Sequence, residues 1–551
     1  MRSYVFVSII FILGLLLRFV NLSSVPPSLS HDEAAIGYNA YSIVETGKDE
    51  YGNPFPMLFR SFDDYKLPGY IYVTAFSMSI FGINEFAVRF PSAFFGSLTV
   101  LVMYFVVKEF LKTFRREEAD SWGKYLPLIA MFMLSISPWH INFSRAGFEA
   151  NASFFFMAMT LYFLFLSRRS VWFLVLAAAF SIVSVYFYYT ARIVLPIILI
   201  TFLAINRKIY LRNIKALTVS AIVGALLIIP ILPFMFSTGL SRVNQVSIFN
   251  DKSLTNPYSE AILRHDGRLD SRIIYNRRVA LFQQFSDNYL KNFAPDFYFT
   301  SGLISMGPLY IWEIPFFILG ILVVTRLRTK YKWVFLVWFL SVPVLGGLTV
   351  QQPNALRTLP NVLPAALFTS VGLVYFISIL KNRKIMKAAA FGIVLIAAFF
   401  FIRFLYLYFD YNLYVDSKKW GDGHKQMVSY VASVEKNYDK IYITGEFWRP
   451  YAYLLFYSKY DPVKYQENGS RFEYDKYIFA DADWDRRDRL LLSDANLSDL
   501  VIKRTLFILS ENDYKSQKNF IDAEKRNYSI NVVEQIDGIY NRNVFYAVGL
   551  E

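Results

Sequence analysis

Apolar runs close to 20 residues long recur along this chain as far as residue 408, each about the length needed to cross a bilayer core as a helix. Eleven are read, at about 4–20, 86–107, 125–141, 150–167, 171–189, 191–205, 216–236, 309–325, 332–350, 359–380 and 388–408. The composition agrees: 55% hydrophobic and 18% charged over 551 residues lies far from a soluble globular average. Pro196, Pro230, Pro343 and Pro364 interrupt several runs. Membrane helices tolerate this where neighbours satisfy the freed carbonyls. The first run is read as a retained span and not a cleaved signal, because it is long and no small-x-small site follows it.

The basic residues orient these spans. With the N-terminus inside, Arg2 and the connections at 108–124, 168–169, 206–215, 326–332 and 381–387 carry 20 Lys/Arg against four acids, a net of +16. The segment after residue 408 carries 20 basic and 23 acidic residues, a net of −3. Nearly all of the chain's +14 therefore falls on one face, the positive-inside bias, and nucleic acid is not needed to explain it. The expected architecture is an α-helical polytopic membrane protein of about eleven spans in the plasma membrane. Residues 1–408 form the membrane domain, with external loops at 21–85 and 237–308. Residues 409–551 form a small extracytoplasmic α/β domain.

Several chemistries drop out. No cysteine is present, which removes disulfides, thiolate metal sites and cysteine nucleophiles. Four histidines (His31, His140, His265, His424) make a His-built metal centre unpromising, and no Walker or GxGxxG loop stands between a strand and a helix. No cofactor is expected. Asp49-Glu50 and Asp63-Asp64 leave open a divalent metal, at low weight.

The external loops carry the chemistry that remains. Ser30-His31-Asp32-Glu33 places two adjacent carboxylates just past the first run, where lipid meets water. Acids at that depth tend to be functional. They equally suit the N-terminal cap and first turn of a following helix. Residues 34–46 then read as an amphipathic helix, and 69–81 as an apolar stretch too short to span comfortably, hence re-entrant or interfacial. The loop 237–308 is basic in its middle, then aromatic at Tyr289, Phe293 and Phe297, which suits either a phospholipid-like ligand or an ordinary aromatic belt. In the tail, a helical pattern at 423–436 precedes strand-like segments at 440–444, 477–480, 505–509 and 544–548.

Few charges lie deep in the apolar runs. Arg145 and Glu149 stand four residues apart, which reads as a self-neutralising helical pair or as two site residues. Arg192 and Arg357 sit at expected outer span ends, as snorkelling anchors or as ligands. Cations on the outer face suit a phosphate leaving group, and a carboxylate suits a base that deprotonates a hydroxyl.

Asp32-Glu33, then Lys66-Leu67-Pro68, then Phe81-Gly82 with Glu85 and Arg89 before a span, resembles the protein O-mannosyltransferase superfamily of membrane glycosyltransferases. That group includes family 39 and the aminoarabinose transferase of lipid A. Ser144-Arg145-Ala146 with Glu149 looks like its second acidic site, and Leu356-Arg357-Thr358-Leu359-Pro360 like its Arg-containing late helix. The resemblance covers roughly residues 5–410. It implies a GT-C fold and transfer of a polyprenyl-phosphate-linked sugar, mannose or another hexose or pentose, with inversion at the outer membrane face. The acceptor it implies is a hydroxyl or phosphate on a protein, lipid or surface glycan. By the same resemblance Asp32 is the base and Glu33 helps hold the acceptor. Lys66, Arg145, Arg192 and Arg357 are candidates for the donor phosphate, with Glu149, Asp63 and Asp64 as acceptor or second acidic positions. Lys-Leu-Pro stands where Lys-Pro-Pro is usual, and the acidic tail is not the β-trefoil of the eukaryotic members. A lipid-linked-glycan transporter or flippase is the alternative, but it predicts inverted repeats and acids near the midplane, which are not seen.

Overall fold

The computed structural model of the chain describes residues 2–62, 64–115, 122–123, 125–236, 247–250, 252–265, 268–303, 305–350, 352–415, 417–446, 449–479, 504–525, 530–542 and 544–550. They divide into two compact units: Met1–Val20 with Ser92–Leu405, and Asn21–Pro91 with Tyr406–Glu551.

The first unit is helical. Each of the eleven apolar runs coincides with one helix or a closely spaced pair, from Arg2–Phe19 to Arg383–Tyr406. Among the described residues, four helices are long and apolar enough to cross a membrane individually: Glu85–Leu111, Glu149–Leu166, Leu359–Ile379 and Arg383–Val415. A fifth span forms if the bent pair Leu126–Ile136 and Pro138–Arg145 counts as one. The bend, 53°, falls at Ser137-Pro138, where Pro removes a backbone donor and clashes with the preceding turn. Ser137 then caps the new helix by accepting from the His140 N–H. The other runs are shorter or broken, so the eleven expected spans are helices without all being of spanning length. Close helix contact rests on small residues. A Cβ placed on Gly320 would lie 1.7 Å from the Phe368 carbonyl oxygen, and one on Gly372 1.9 Å from that of Phe316. The helices Ile314–Arg326 and Val362–Ile379 can therefore meet backbone to backbone only with glycine at both points. Trp139 and Trp338 fill the core and donate their ring N–H groups to the carbonyls of Ala355 (2.8 Å) and Pro360 (2.9 Å).

The second unit joins the first external loop to the tail. A hairpin, β1 (Phe59–Ser61) and β2 (Asp64–Lys66), precedes the helix Pro68–Phe81. The tail contributes β3 (Lys440–Ile443), β4 (Glu473–Tyr474), β5 (Tyr477–Phe479), β6 (Thr505–Ser510), β7 (Ile530–Ile536) and β8 (Phe545–Leu550). They form one sheet in the order β4-β5-β3-β6-β8-β7, with β3 parallel to both β5 and β6 and the other pairs antiparallel. β6 and β8 are buried along their whole length, as expected of central strands covered on both faces.

The expected division at 408/409 is therefore corrected. The break in the chain falls at 405/406, and residues 21–91 belong with the tail and not with the helical unit. Side-chain contacts across some 400 residues of sequence hold them there. Gln466 donates at 3.0 Å to Ser42, Thr46 and the Asp49 carbonyl, and the Tyr38 hydroxyl donates to the Tyr460 carbonyl at 3.2 Å. The Phe456 ring occupies the space a Cβ on Gly37 would need.

Candidate functional site

Asp32 and Glu33 open the helix His31–Thr46, and the same local motif sends them in different directions. Ser30 is the N-cap: its hydroxyl accepts from the Glu33 N–H at 3.3 Å while its own N–H donates to Glu33 Oε2 at 2.9 Å, a complete capping box. That turns Glu33 inward. Its carboxylate is fully buried and takes Arg89 Nε on Oε1 at 2.9 Å and Arg89 Nη2 on Oε2 at 3.4 Å. Arg89, equally buried, donates its remaining N–H groups to the carbonyls of Leu22 (3.1 Å), Pro26 (2.8 Å) and Ser28. The pair therefore pins the loop that leads into Asp32. Glu33 does not present its carboxylate to an acceptor as expected; it organises the site from beneath.

Asp32 points the other way and is 43% exposed. Its Oδ1 accepts from Lys66 Nζ at 2.5 Å, and its Oδ2 lies 3.8 Å from His31 Nε2. Lys66, at the end of β2, is 6% exposed, so a buried cation holds a half-exposed carboxylate. The pairing predicted from the sequence as two separate roles is thus one ion pair.

The hairpin that delivers Lys66 turns at Phe62, whose φ of 61° is left-handed, a conformation costing an L-residue roughly 1–2 kcal/mol. Such strain collects at functional sites. The Phe62 ring lies between His31 (5.8 Å) and Tyr451 (5.9 Å), with Lys66 Nζ 5.8 Å and the Arg449 guanidinium carbon 5.2 Å from its centre. Arg449 is itself buried and left-handed, at φ 58°. Sequence reasoning missed it. Nothing local marks one arginine in the tail as a neighbour of Phe62; only the packing of loop against tail makes it one.

Behind this face, the other loop acids serve different ends. Asp49 accepts from the backbone N–H groups of Tyr51 (3.0 Å) and Asn53 (2.8 Å) and so folds its own turn. Glu50 is 1% exposed and its Oε1 has no hydrogen-bond partner among the described residues. Burial pushes its carboxyl up to about 8; the Asp49 charge adds to the rise, while Asn39, Arg60 and Lys66 oppose it. Asp63 lies outside the described residues. Asp64 is placed by its backbone, paired with Ser61 in the hairpin. Among the described residues no group of three or more His, Asp or Glu side chains is placed to hold a metal ion.

The remaining predicted cations belong to the helical unit. Arg145 is fully buried and donates to the Leu17 carbonyl at 2.9 Å and the Val20 carbonyl at 2.7 Å, capping the first helix at its negative end. Glu149 opens the helix Glu149–Leu166 and is half-buried. Arg192 lies 4.6 Å from the Tyr189 ring centre. Arg357 donates to the Thr349 hydroxyl at 2.8 Å, and its carbonyl accepts from Thr190 at 3.1 Å. That bond brings the two segments carrying Arg192 and Arg357 together. Arg18, which hydropathy absorbed into the first run, is fully buried and bonds the carbonyls of Gly14 (2.8 Å) and Ser135 (3.2 Å) and the His140 ring (2.6 Å).

Comparisons with known proteins bear on sequence family and on fold. Residues 66–234 match the family described as dolichyl-phosphate-mannose-protein mannosyltransferase. The chain thus resembles the GT-C membrane glycosyltransferases in sequence over that stretch. In fold it is similar over its length to ArnT from Cupriavidus metallidurans bound to undecaprenyl phosphate, with 12% identity, a TM-score of 0.55, and 98% of this chain and 97% of that one covered. The apo state of the same enzyme gives 12% identity and a TM-score of 0.54, covering 100% of this chain and 98% of that one. The oligosaccharyltransferase of Archaeoglobus fulgidus is more distant, at 14% identity and a TM-score of 0.48 over 82% of this chain and 61% of that one. A comparison with curated protein sequences finds no match.

Proposed function

We propose that the chain is an inverting glycosyltransferase that moves a sugar from a polyprenyl-phosphate donor to a hydroxyl acceptor at the outer face of the membrane. The observation that carries this is the Asp32–Lys66 pair: one half-exposed carboxylate on a buried ammonium, beside a neighbour, Glu33, that is wholly internal. In the reaction the acceptor oxygen attacks the anomeric carbon and the bond from that carbon to the phosphate oxygen breaks. Polyprenyl phosphate leaves, and the acceptor proton passes to Asp32. A single displacement inverts the centre. A phosphate drawn to Lys66 shares its ammonium and so frees the carboxylate to take the proton. Arg449 adds a second cation against the same Phe62 ring. In the helical unit, Arg192 and Arg357 are the candidates for an anionic group; Arg145 is already engaged with the end of the first helix. No nucleotide is needed, because the lipid phosphate is itself the activated leaving group. The match to the mannosyltransferase family over residues 66–234 and the fold shared with an undecaprenyl-phosphate-bound enzyme support this reading. Mannose and a protein acceptor are not required by it.

The test uses purified protein with a lipid-linked sugar monophosphate. Asp32→Asn should lower transfer by about 10²-fold or more, the usual size of a general-base effect, with little change in thermal stability. Full turnover by that variant would remove Asp32 from the mechanism. Efficient transfer from a soluble sugar nucleotide would overturn the donor assignment.

A further inference from the structure

We infer that a cavity at the C-terminal end of the helix Arg383–Tyr406 binds the phosphate headgroup of an anionic membrane phospholipid, whose acyl chain lies along that helix. The cavity measures about 180 Å³ and belongs entirely to the helical unit. Its walls include Phe299, Thr300, Ser305, Tyr310, Phe400 and Arg403. It is far larger than the roughly 10–15 Å³ that admits one water, and it accommodates a phosphodiester.

Three features select the ligand. The first is charge. Arg403 is the one charged side chain in the lining, and among the described residues no hydrogen bond or ion pair engages its guanidinium. An anion completes it, and a planar fork suits phosphate. The second is depth. No Asp, Glu, Lys or Arg stands between Lys387 and Arg403 or between Arg403 and Asp410, so the cation is the one charge within 388–409 and lies towards the end of that stretch. None of the apolar window of this helix is buried, and Phe391, Val394, Phe399 and Ile402 are each more than 60% exposed. Such a surface is covered by lipid, which places Arg403 at headgroup depth. The third is a preformed wall. A Cβ on Gly307 would lie 2.2 Å from the Phe299 carbonyl carbon, so the loop carrying Ser305 is closed down on the turn Phe297–Ser301. Ser305 is left-handed, at φ 61°, and brings a hydroxyl donor to the rim. An arginine that merely snorkels requires neither the cavity nor the hydroxyl.

The inference is independent of the transfer reaction and is tested by lipid binding to the full-length chain. Detergent-purified, delipidated protein is titrated with phosphatidylglycerol, phosphatidylcholine, a polyprenyl phosphate or inorganic phosphate. Bound lipid is counted by native mass spectrometry. Phosphatidylglycerol should bind about tenfold more tightly than phosphatidylcholine, the size of one charge-assisted contact. Arg403→Gln should abolish that preference. Ser305→Gly, which keeps the left-handed backbone and removes the hydroxyl, should reduce it a few-fold, and it carries the test if the Gln variant fails to fold. The inference is overturned by equal binding of the two lipids to the wild type, or by a preference that survives both substitutions. Saturation by inorganic phosphate alone, or binding confined to the polyprenyl phosphate, overturns the assignment to a membrane phospholipid.

Discussion

The two units handle buried positive charge in opposite ways. In the helical unit the deep arginines face carbonyls: Arg145 takes those of Leu17 and Val20, and Arg18 those of Gly14 and Ser135. The Leu17, Val20 and Ser135 carbonyls stand at helix ends and that of Gly14 inside a helix, and no carbonyl takes up a proton; Arg18 also meets the His140 ring. In the second unit two deep cations also face carboxylates, Arg89 against Glu33 and Lys66 against Asp32. A charge set against helix ends stabilises geometry. A charge set against a half-exposed acid can also respond to an incoming anion, which is why the proposed reaction is assigned to the second unit.

That contrast can be broken. The largest effect should come from Arg89→Met, which leaves Glu33 as an uncompensated buried charge. We expect a loss of stability of about 3–5 kcal/mol, seen as a lower unfolding temperature. A variant as stable as the wild type would show that the pair does not hold the loop before Asp32. Next in size is Arg449. Arg449→Gln should raise the apparent KM for the lipid-phosphate donor about tenfold, as one charge-assisted contact is lost, with kcat less affected. A fall in kcat alone would make Arg449 a support for Phe62 and not a ligand.

Smaller effects sharpen the same contrast. If Arg357 grips a phosphate with its planar fork, Arg357→Lys should weaken donor binding by roughly 1–2 kcal/mol; equal affinities would return it to an anchor held by Thr349. Glu50 tests the second unit's tolerance of buried acid. Its folded value of about 8 stands above the ordinary 4.5, so between those values the native state holds a proton that the unfolded chain has lost. Stability from this group is present below about pH 4.5 and is lost as the pH rises towards 8. Thermal unfolding followed across that range should show a decline in the wild type that Glu50→Gln flattens. Parallel curves would mean that Glu50 ionises freely.

Much was legible in the sequence where the cause is local. Hydropathy over some 20 residues located the helices, because a run of apolar side chains is sufficient reason for a helix in lipid. Strand-like segments in the tail became β3, β5, β6 and β8, because alternation and apolar content are written in consecutive residues. The candidate site was legible only as a set of residue types: Asp32, Glu33 and Lys66 stood out, and Asp32 and Lys66 pair as a half-exposed acid on a buried cation. Span length was less so, since prolines such as Pro138 break helices that hydropathy alone draws as continuous.

The sequence by itself therefore determined where the helices lie and which acids and bases stand near one another along the chain, since these follow from neighbours a few residues apart. Only the tertiary structure decided that residues 21–91 join the tail, that Asp32 faces out while Glu33 turns in to Arg89, and that Arg449 shares the Phe62 ring with Lys66. Those outcomes depend on contacts between segments as far apart as 400 residues. Two adjacent carboxylates look alike until the fold buries one against a cation and leaves the other at the surface.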